Sequence, residues 1–277
     1  SEFANREVIA DKSTLVISIS QSGETVDTIR AMNLAKKAQA LQIAITNTPR
    51  SQTTRIADTT IHMRASTEIA VASTKCFIAL HALALKIAII RLSSTKKNIS
   101  SQINDYVKLP ALISNTLTLD TQIKKLANKY SKYSNFLFLG RGQLYPIAME
   151  GALKMKELAY IHAEGYSAGE MKHGPIALID AQMPTIFVAT NEQLFDKIYS
   201  NVEQVRARKG KIIAIVQQGE KRMNKLANDV IEIPKASTVQ SPIVTVIVLQ
   251  LLAYHIAKKL GKNIDQPRNL AKTVTVE

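Results

Sequence analysis

Tryptophan is absent, and Phe and Tyr bring the aromatic share to only 5% of the 277 residues. The core therefore has to be built mainly from aliphatic side chains. A single cysteine, Cys76, excludes an internal disulfide, which fits a reducing compartment. It lies in the apolar run Cys76-Phe77-Ile78-Ala79-Leu80 and reads as a small buried hydrophobe rather than a reactive thiol. No stretch is Gly-, Pro- or Ser-rich enough to be a low-complexity linker. Glu2, Arg6 and Asp11 interrupt any apolar region at the start, so no secretory leader is read there. The most apolar stretches, 76–92 and 242–257, carry His81 and Lys86 and then Gln250 and His255. Both are short for a bilayer span and are expected as buried helices. The expectation is a soluble, cytoplasmic protein with no membrane partner.

Acidic residues are also scarce, 22 against 36 Lys and Arg, for a net charge of +14. A strongly basic chain raises the question of nucleic acid. Here the basic residues are scattered along the whole length, and no aromatic–basic interleaving offers a stacking platform for bases. A solvated basic surface that attracts an anionic small molecule is the expected reading, with no nucleic-acid partner.

What is present is an alternation. Thr14-Leu15-Val16-Ile17-Ser18-Ile19 is a β-branched apolar run and predicts a buried strand. Residues 24–40 have helical spacing, 41–46 predict a strand closed by Asn47-Thr48-Pro49, 59–63 a short strand, and 67–92 a long apolar helix. After a polar helical segment the order recurs. Strands are predicted at 135–140, 183–189, 211–216 and 229–233. Helices are predicted at 145–161, 192–208 and 241–260. Near-continuous apolar strands alternating with helices imply mainly parallel sheets covered on both faces, so an α/β chain of two tandem doubly wound domains. The expected boundaries are 1–97 for the first domain, 98–131 for a helical connector, 132–260 for the second domain and 261–277 for a C-terminal tail. The first copy has no counterpart of 135–161, so an opening strand and helix are expected to be missing from it.

Ligands of such sheets bind at the carboxyl ends of the strands. Ser20-Gln21-Ser22-Gly23-Glu24-Thr25 ends a strand and opens a helix, where unpaired N–H groups and the helix dipole favour an anion. Ser20, Ser22 and Thr25 add hydroxyl donors, Gln21 adds an amide, and Gly23 lets the backbone approach closely. Glu24 would repel a phosphate and is expected to point away. Taken alone, the loop reads equally well as an ordinary Ser-capped βα turn. A second group of residues bears on chemistry. Glu150, Lys154 and Glu157 fall at i, i+4 and i+7 on one helix face; a surface salt-bridge stripe is the plain alternative. His162-Ala163-Glu164 and Lys172-His173-Gly174-Pro175 follow. A carboxylate, a lysine and a histidine suit proton movement next to a sugar carbonyl, with His173 in the titration range for ring opening. The spacing of His162, Glu164 and His173 matches no standard metal site, and neither a metal nor a cofactor is expected.

Together these strings resemble one family. Ser20 to Thr25, Thr67-Glu68-Ile69 with Val71-Ala72-Ser73-Thr74-Lys75, Gly140-Arg141-Gly142, Glu150 to Glu157, His162-Ala163-Glu164, Lys172-His173-Gly174-Pro175 and Asp265-Gln266-Pro267-Arg268-Asn269-Leu270-Ala271-Lys272 are similar, in order, to the isomerase part of glutamine–fructose-6-phosphate aminotransferase. That part consists of two sugar isomerase (SIS) domains. The resemblance implies conversion of fructose 6-phosphate to glucosamine 6-phosphate, in a homodimer with shared active sites, when joined to a glutaminase domain. No counterpart of that domain lies in the 277 residues. The resemblance also implies roles. Ser20, Gln21, Ser22 and Thr25, with Val71 and Ser73, would bind the sugar phosphate, and Glu68 would hold the sugar end. Glu157 would move the proton between C1 and C2, Lys154 would stabilise the intermediate, and His173 of a partner subunit would open the ring. Lys272 would close over the sugar, with Arg268 seating the tail. Ser66 and Ala70 stand where the family often has glycine. The alternatives are a stand-alone SIS-type isomerase or deglycase, and a non-enzymatic sugar-phosphate sensor.

Overall fold

A computed structural model of the chain describes residues 1–7, 10–95 and 98–273. The last four residues of the expected tail lie outside the described residues. The chain divides into two compact units, Ser1–Leu83 with the stretch from Asn269, and Ala84–Arg268.

In the first unit β1 (Leu15–Ser20), α1 (Val26–Lys37), β2 (Leu41–Thr46), α2 (Gln52–Ile56) and β3 (Thr59–His62) follow in order and lead into α3 (Lys75–Ser93). The three strands form a parallel sheet in the order β1-β2-β3, with Ser20 level with Thr46 and Thr46 with His62. This register places the ends of all three strands, and the loops that follow them, side by side. A small core of Ile45, Met63 and Cys76 is flanked by Ile43, Ile61, Leu80 and Leu83.

The helix expected over 67–92 begins only at Lys75. Both Glu68 oxygens hold the chain ahead of it: Oε1 accepts from the Thr74 hydroxyl at 2.9 Å and Oε2 from the Cys76 N–H at 2.9 Å. The expectation that this helix is buried also fails, because Cys76 is its one buried side chain. A helix apolar all round needs cover all round, and the small core touches it along one side. Strand β1 is similarly bare on one face, with Leu15, Ile17 and Ile19 each about half exposed.

The second unit contains α4 (Ser100–Leu117), α5 (Asp120–Tyr130), β4 (Asn135–Gly140), α6 (Leu144–Lys154), a π turn (Met155–Ala159), β5 (His162–Ser167), β6 (Thr185–Ala189), α7 (Phe195–Ala207), β7 (Ile212–Gln217), β8 (Asp229–Ile233) and α8 (Ser241–Lys259). Its sheet is parallel throughout, in the order β5-β4-β6-β7-β8. Helix α8 is the central core helix, with fifteen of its nineteen residues buried. Each fully buried Leu, Ile or Val there contributes about 1.5–3 kcal/mol. The segment expected as a helical connector forms α4 and α5, which bond to residues on and near α8. His255 of α8 meets Asp120 at 2.6 Å, and Gln240 donates to the Asp105 carbonyl at 2.7 Å.

Strand β5 was not expected, since His162 to Ser167 reads as a polar stretch. Its inward positions are small: Ala163 is fully buried, and a Cβ on Gly165 would stand 2.5 Å from the Met149 Cα. The strand is thus made by close approach to α6 rather than by apolar bulk, and hydropathy does not register it.

Candidate functional site

In the first unit the loop after β1 is shaped by its own hydroxyls. Gly23 N–H donates to Ser20 Oγ at 3.0 Å, Glu24 N–H to Ser22 Oγ at 3.2 Å, and Ser20 Oγ lies 3.2 Å from Thr25 Oγ1. Gly23 has φ +68°, and a Cβ there would lie 2.0 Å from Ser51 Oγ. Only glycine fits that backbone beside that wall. Thr25 stands at the N-cap of α1 without a side-chain cap bond, so the first N–H groups of the helix stay open. The Gln21 carbonyl accepts from Asn47 N–H at 3.2 Å, tying the loop to the end of β2. Glu24 turns away as the charge argument expects: its Oε1 accepts the Gln52 N–H at the start of α2, at 2.8 Å.

These loops open on a cavity of about 800 Å³. Gln21, Ser22, Asn47 and Thr48 line one part, and His62, Arg64, Ser66, Thr67, Glu68 and Lys272 another. Lys272 and Arg64 give it a cationic rim. Lys272 Nζ donates to the Ala70 carbonyl at 2.5 Å, which fixes the tail residue over the Glu68 segment. Asn47 holds that segment in shape, donating to the Ser66 carbonyl at 2.7 Å and accepting from Ala65 N–H at 2.9 Å. Ser66 has φ +57° and Arg64 φ +55°. This is left-handed backbone that glycine adopts without strain, which explains why a glycine suits position 66. Asn47, His62 and Arg64 were not read from the sequence. An isolated polar residue just past a strand end carries no periodicity, and only its place in the strand order marks it.

Glu68 lines this cavity and also holds the chain that leads into α3. It is buried, and both oxygens are committed to Thr74, Lys75 and Cys76, with Ser73 Oγ 3.5 Å from Oε2. Burial pushes its carboxyl up, but the bonds from Cys76 and Thr74 outweigh this and leave it below the usual carboxylate range. It caps α3 and positions Val71 and Ser73, both half-buried. Burial, with Glu68 beside it, pushes the Cys76 thiol up to about 12, so Cys76 is an inert core side chain.

In the second unit, Gly140-Arg141-Gly142 makes the turn from β4 into α6. A Cβ on Gly140 would clash with the Leu144 carbonyl, and Arg141 Nε donates to Asn201 at 3.1 Å. The helix then brings Glu150, Lys154 and Glu157 together. Lys154 is 2% exposed, and its Nζ lies 2.5 Å from Glu157 Oε2 and 3.4 Å from Glu150 Oε1. The surface-stripe alternative is excluded by this burial. Beyond Lys154 the helix widens into the π turn that carries Glu157, an element that often marks functional positions. Burial raises Glu150 to about 7, with Lys154 pulling it down and Glu157 pushing it up.

His173 lies apart from this cluster in its surroundings. It is exposed on a short 3₁₀ turn, 3.8 Å from Glu170. His162 pairs with Glu164 at 3.5 Å and with Asn135 at 3.1 Å. Among the described residues no group of three His, Cys, Asp or Glu is placed to hold a metal ion. The backbone N–H of Arg268 donates to the Tyr160 hydroxyl at 2.7 Å, and its guanidinium lies over that ring at 4.6 Å.

The SIS domain family matches residues 2–90 and 129–258, one stretch in each repeat. The glutamine–fructose-6-phosphate aminotransferase of Aquifex aeolicus is 48% identical over the whole chain, which spans 46% of that protein. The C-terminal domain of glucosamine-fructose-6-phosphate aminotransferase from Francisella tularensis superposes with a TM-score of 0.88 at 39% identity, over 96% of this chain and 76% of that one. A tagatose-6-phosphate ketose/aldose isomerase from Escherichia coli, at 18% identity and a TM-score of 0.76 over 95% of this chain and 74% of its own, shares the fold. The chain spans about half the length of the curated relatives it matches. With similarity at this level running through both repeats, the chain belongs to the SIS domain family, in the branch of the glutamine–fructose-6-phosphate aminotransferases.

Proposed function

We propose that this chain is the isomerase part of an enzyme that makes glucosamine 6-phosphate from fructose 6-phosphate, joined to a glutaminase domain that supplies the nitrogen. Ser20, Gln21, Ser22 and Thr25, with the open N–H groups of α1, bind the sugar phosphate, and Val71 and Ser73 border the sugar. Glu157 takes the proton from C1 and returns it to C2. The electron pair left behind gives an enediolate, and the Lys154 ammonium offsets its charge. Lys272 closes over the sugar, Arg268 seats the tail, and His173 of a partner subunit opens the ring in a cytoplasmic homodimer.

The observation that carries this reading is the buried Lys154 ammonium 2.5 Å from Glu157. A module that only binds sugar phosphates gains nothing from burying a lysine against two carboxylates, which costs desolvation; an acid–base catalyst does. The test is turnover of fructose 6-phosphate to glucose 6-phosphate by this chain, followed with a coupled dehydrogenase. Glu157→Gln is expected to lower kcat by about 10²–10⁴. An unchanged rate sinks the assignment of Glu157, and tight binding with no turnover by the unmodified chain supports the sensor alternative.

A further inference from the structure

Glu150 is the one buried carboxylate of the second-unit cluster to which the proposed mechanism gives no task. It is 8% exposed, and its Oε1 stands 3.4 Å from Lys154 Nζ, an ion pair with at most a long hydrogen bond. Glu157 takes the short bond, at 2.5 Å, and has the more exposed side chain, 22% against 9% for Glu150. One ammonium is therefore shared unequally between two carboxylates. The exposed carboxylate is within reach of a substrate and the buried one is not.

This sharing has a chemical consequence. The Glu157 oxygen that holds the ammonium at 2.5 Å has a lone pair already engaged when a proton arrives from carbon. Once Glu157 has taken a proton from carbon it is neutral and loses its hold on Lys154. The ammonium then needs another partner, since an unpaired buried cation is strongly destabilising. A shift of about 0.5 Å brings Nζ from 3.4 Å to the short range of a charge-assisted bond with Glu150.

We propose that Glu150 is a positioning residue that draws the Lys154 ammonium off Glu157, freeing Glu157 to move the proton and holding Lys154 charged while it does so. The proposal rests on the isomerase reading. In the step, the C–H bond breaks, its electron pair stays on the substrate, and an O–H bond forms on Glu157; the return step reverses this at the neighbouring carbon. Glu150 neither gains nor loses a proton, but it must be ionised to attract Lys154. Its titration near neutrality makes the working form the high-pH form. The charged groups acting on it are Lys154 and Glu157. On either side of it along α6, Gly151 packs against Leu249 of α8 and Phe138 of β4, and Met149 against Gly165 of β5.

The experiment compares the chain with Glu150→Gln and Glu150→Asp in two measurements. In the first, kcat and KM for fructose 6-phosphate are followed from pH 5.5 to 9. Wild-type kcat is expected to rise through an inflection near 7. Glu150→Gln should lose that inflection and fall about tenfold or more in kcat with KM little changed, and Glu150→Asp should restore part of the limb. An unchanged inflection in Glu150→Gln overturns the proposal. The second measurement needs no turnover: the side-chain carboxyls are labelled with ¹³C and titrated by NMR. A carboxyl titrating near 7 should vanish in Glu150→Gln. A carboxyl that still titrates near 7 in that variant overturns the proposal even if the chain is inactive. Inactivity of the unmodified chain, with that carboxyl lost in Glu150→Gln, counts against the isomerase reading alone.

Discussion

Replacing Glu68 by Gln is a one-atom change at a buried carboxylate, and the structure gives its expected size. Glu68 accepts four donors: Thr74 Oγ1 at 2.9 Å, Cys76 N–H at 2.9 Å, Lys75 N–H at 3.3 Å and, more weakly, Ser73 Oγ at 3.5 Å. A glutamine keeps one acceptor oxygen and turns the other into an NH₂ that faces donors. Hydrogen bonds to a charged group contribute about 1.5–3 kcal/mol each and neutral ones about 1. Losing two of the former and keeping one of the latter predicts a loss of about 2–5 kcal/mol. The helix dipole at the start of α3 adds in the same direction. The assay is urea unfolding, read together with hydrogen exchange at the Cys76 and Phe77 amides, which reports the cap locally. The pH dependence is a second check. The folded carboxyl lies below its ordinary 4.5, so its contribution is present above the unfolded value and is lost as pH falls through the folded one. The difference between wild type and Glu68→Gln should be full at pH 6 and shrink below 4.5. A loss under about 1 kcal/mol, or a difference that grows on acidification, would refute the assignment of Glu68 as a helix cap.

Two further outcomes follow from the cradle. Gly23→Ala places a Cβ 2.0 Å from Ser51 Oγ at φ +68°, and strain plus overpacking should cost about 2–5 kcal/mol in urea unfolding. Ser22→Ala with Thr25→Val leaves the fold intact and should weaken fructose 6-phosphate binding about a hundredfold by calorimetry, two hydroxyl donors to a charged phosphate; unchanged affinity would remove the phosphate from this loop.

The parts of the fold legible in the sequence were those that bury an unbroken apolar run. Phe136-Leu137-Phe138-Leu139 and Ile212 to Val216 are fully or nearly fully buried in β4 and β7, and the apolar runs of both sequences predict this. What stayed hidden was structure made by specific contacts. The start of α3 is set by the Glu68 carboxylate catching two N–H groups, which no periodicity announces. Strand β5 exists because Ala163 and Gly165 are small. The exposure of α3 was illegible for a different reason: an apolar helix has the same sequence whether or not its cover is present. In the site, helical spacing correctly grouped Glu150, Lys154 and Glu157, but it could not show that the helix widens at Met155, nor which of the two carboxylates takes the short bond. Asn47, Arg64 and His62 lie on a loop and at a strand end that only the register of β1, β2 and β3 brings beside Gln21.

The two repeats carry corresponding loops, which differ in the hydrogen-bond donors they leave open to an anion. After β1 the chain runs through Gly23 in left-handed backbone to an N-cap whose side chain leaves the helix N–H groups free. The hydroxyl-rich sequence brings no charge inward, because Glu24 is turned onto Gln52. After β6, the corresponding strand of the second sheet, the chain runs through Thr190 and Asn191 into Glu192. Thr190 is locked in the core by Ser241 at 2.6 Å and Thr245 at 3.0 Å. Asn191 caps its own turn, its Oδ1 accepting Gln193 N–H at 2.9 Å, so the donors an anion would need are already taken. Glu192 and Glu220 line the adjacent cavity together with Arg222 and Lys235, so its lining carries no excess of positive charge. The Arg222 guanidinium does not reverse this, because Glu220 and Asp196 already hold it at 3.3 and 2.8 Å. One strand–loop–helix plan thus leaves helix N–H groups open in the first repeat and engages the corresponding donors in the second. The buried Glu150 and Lys154 lie instead on α6, a strand–helix step with no described counterpart in the first repeat.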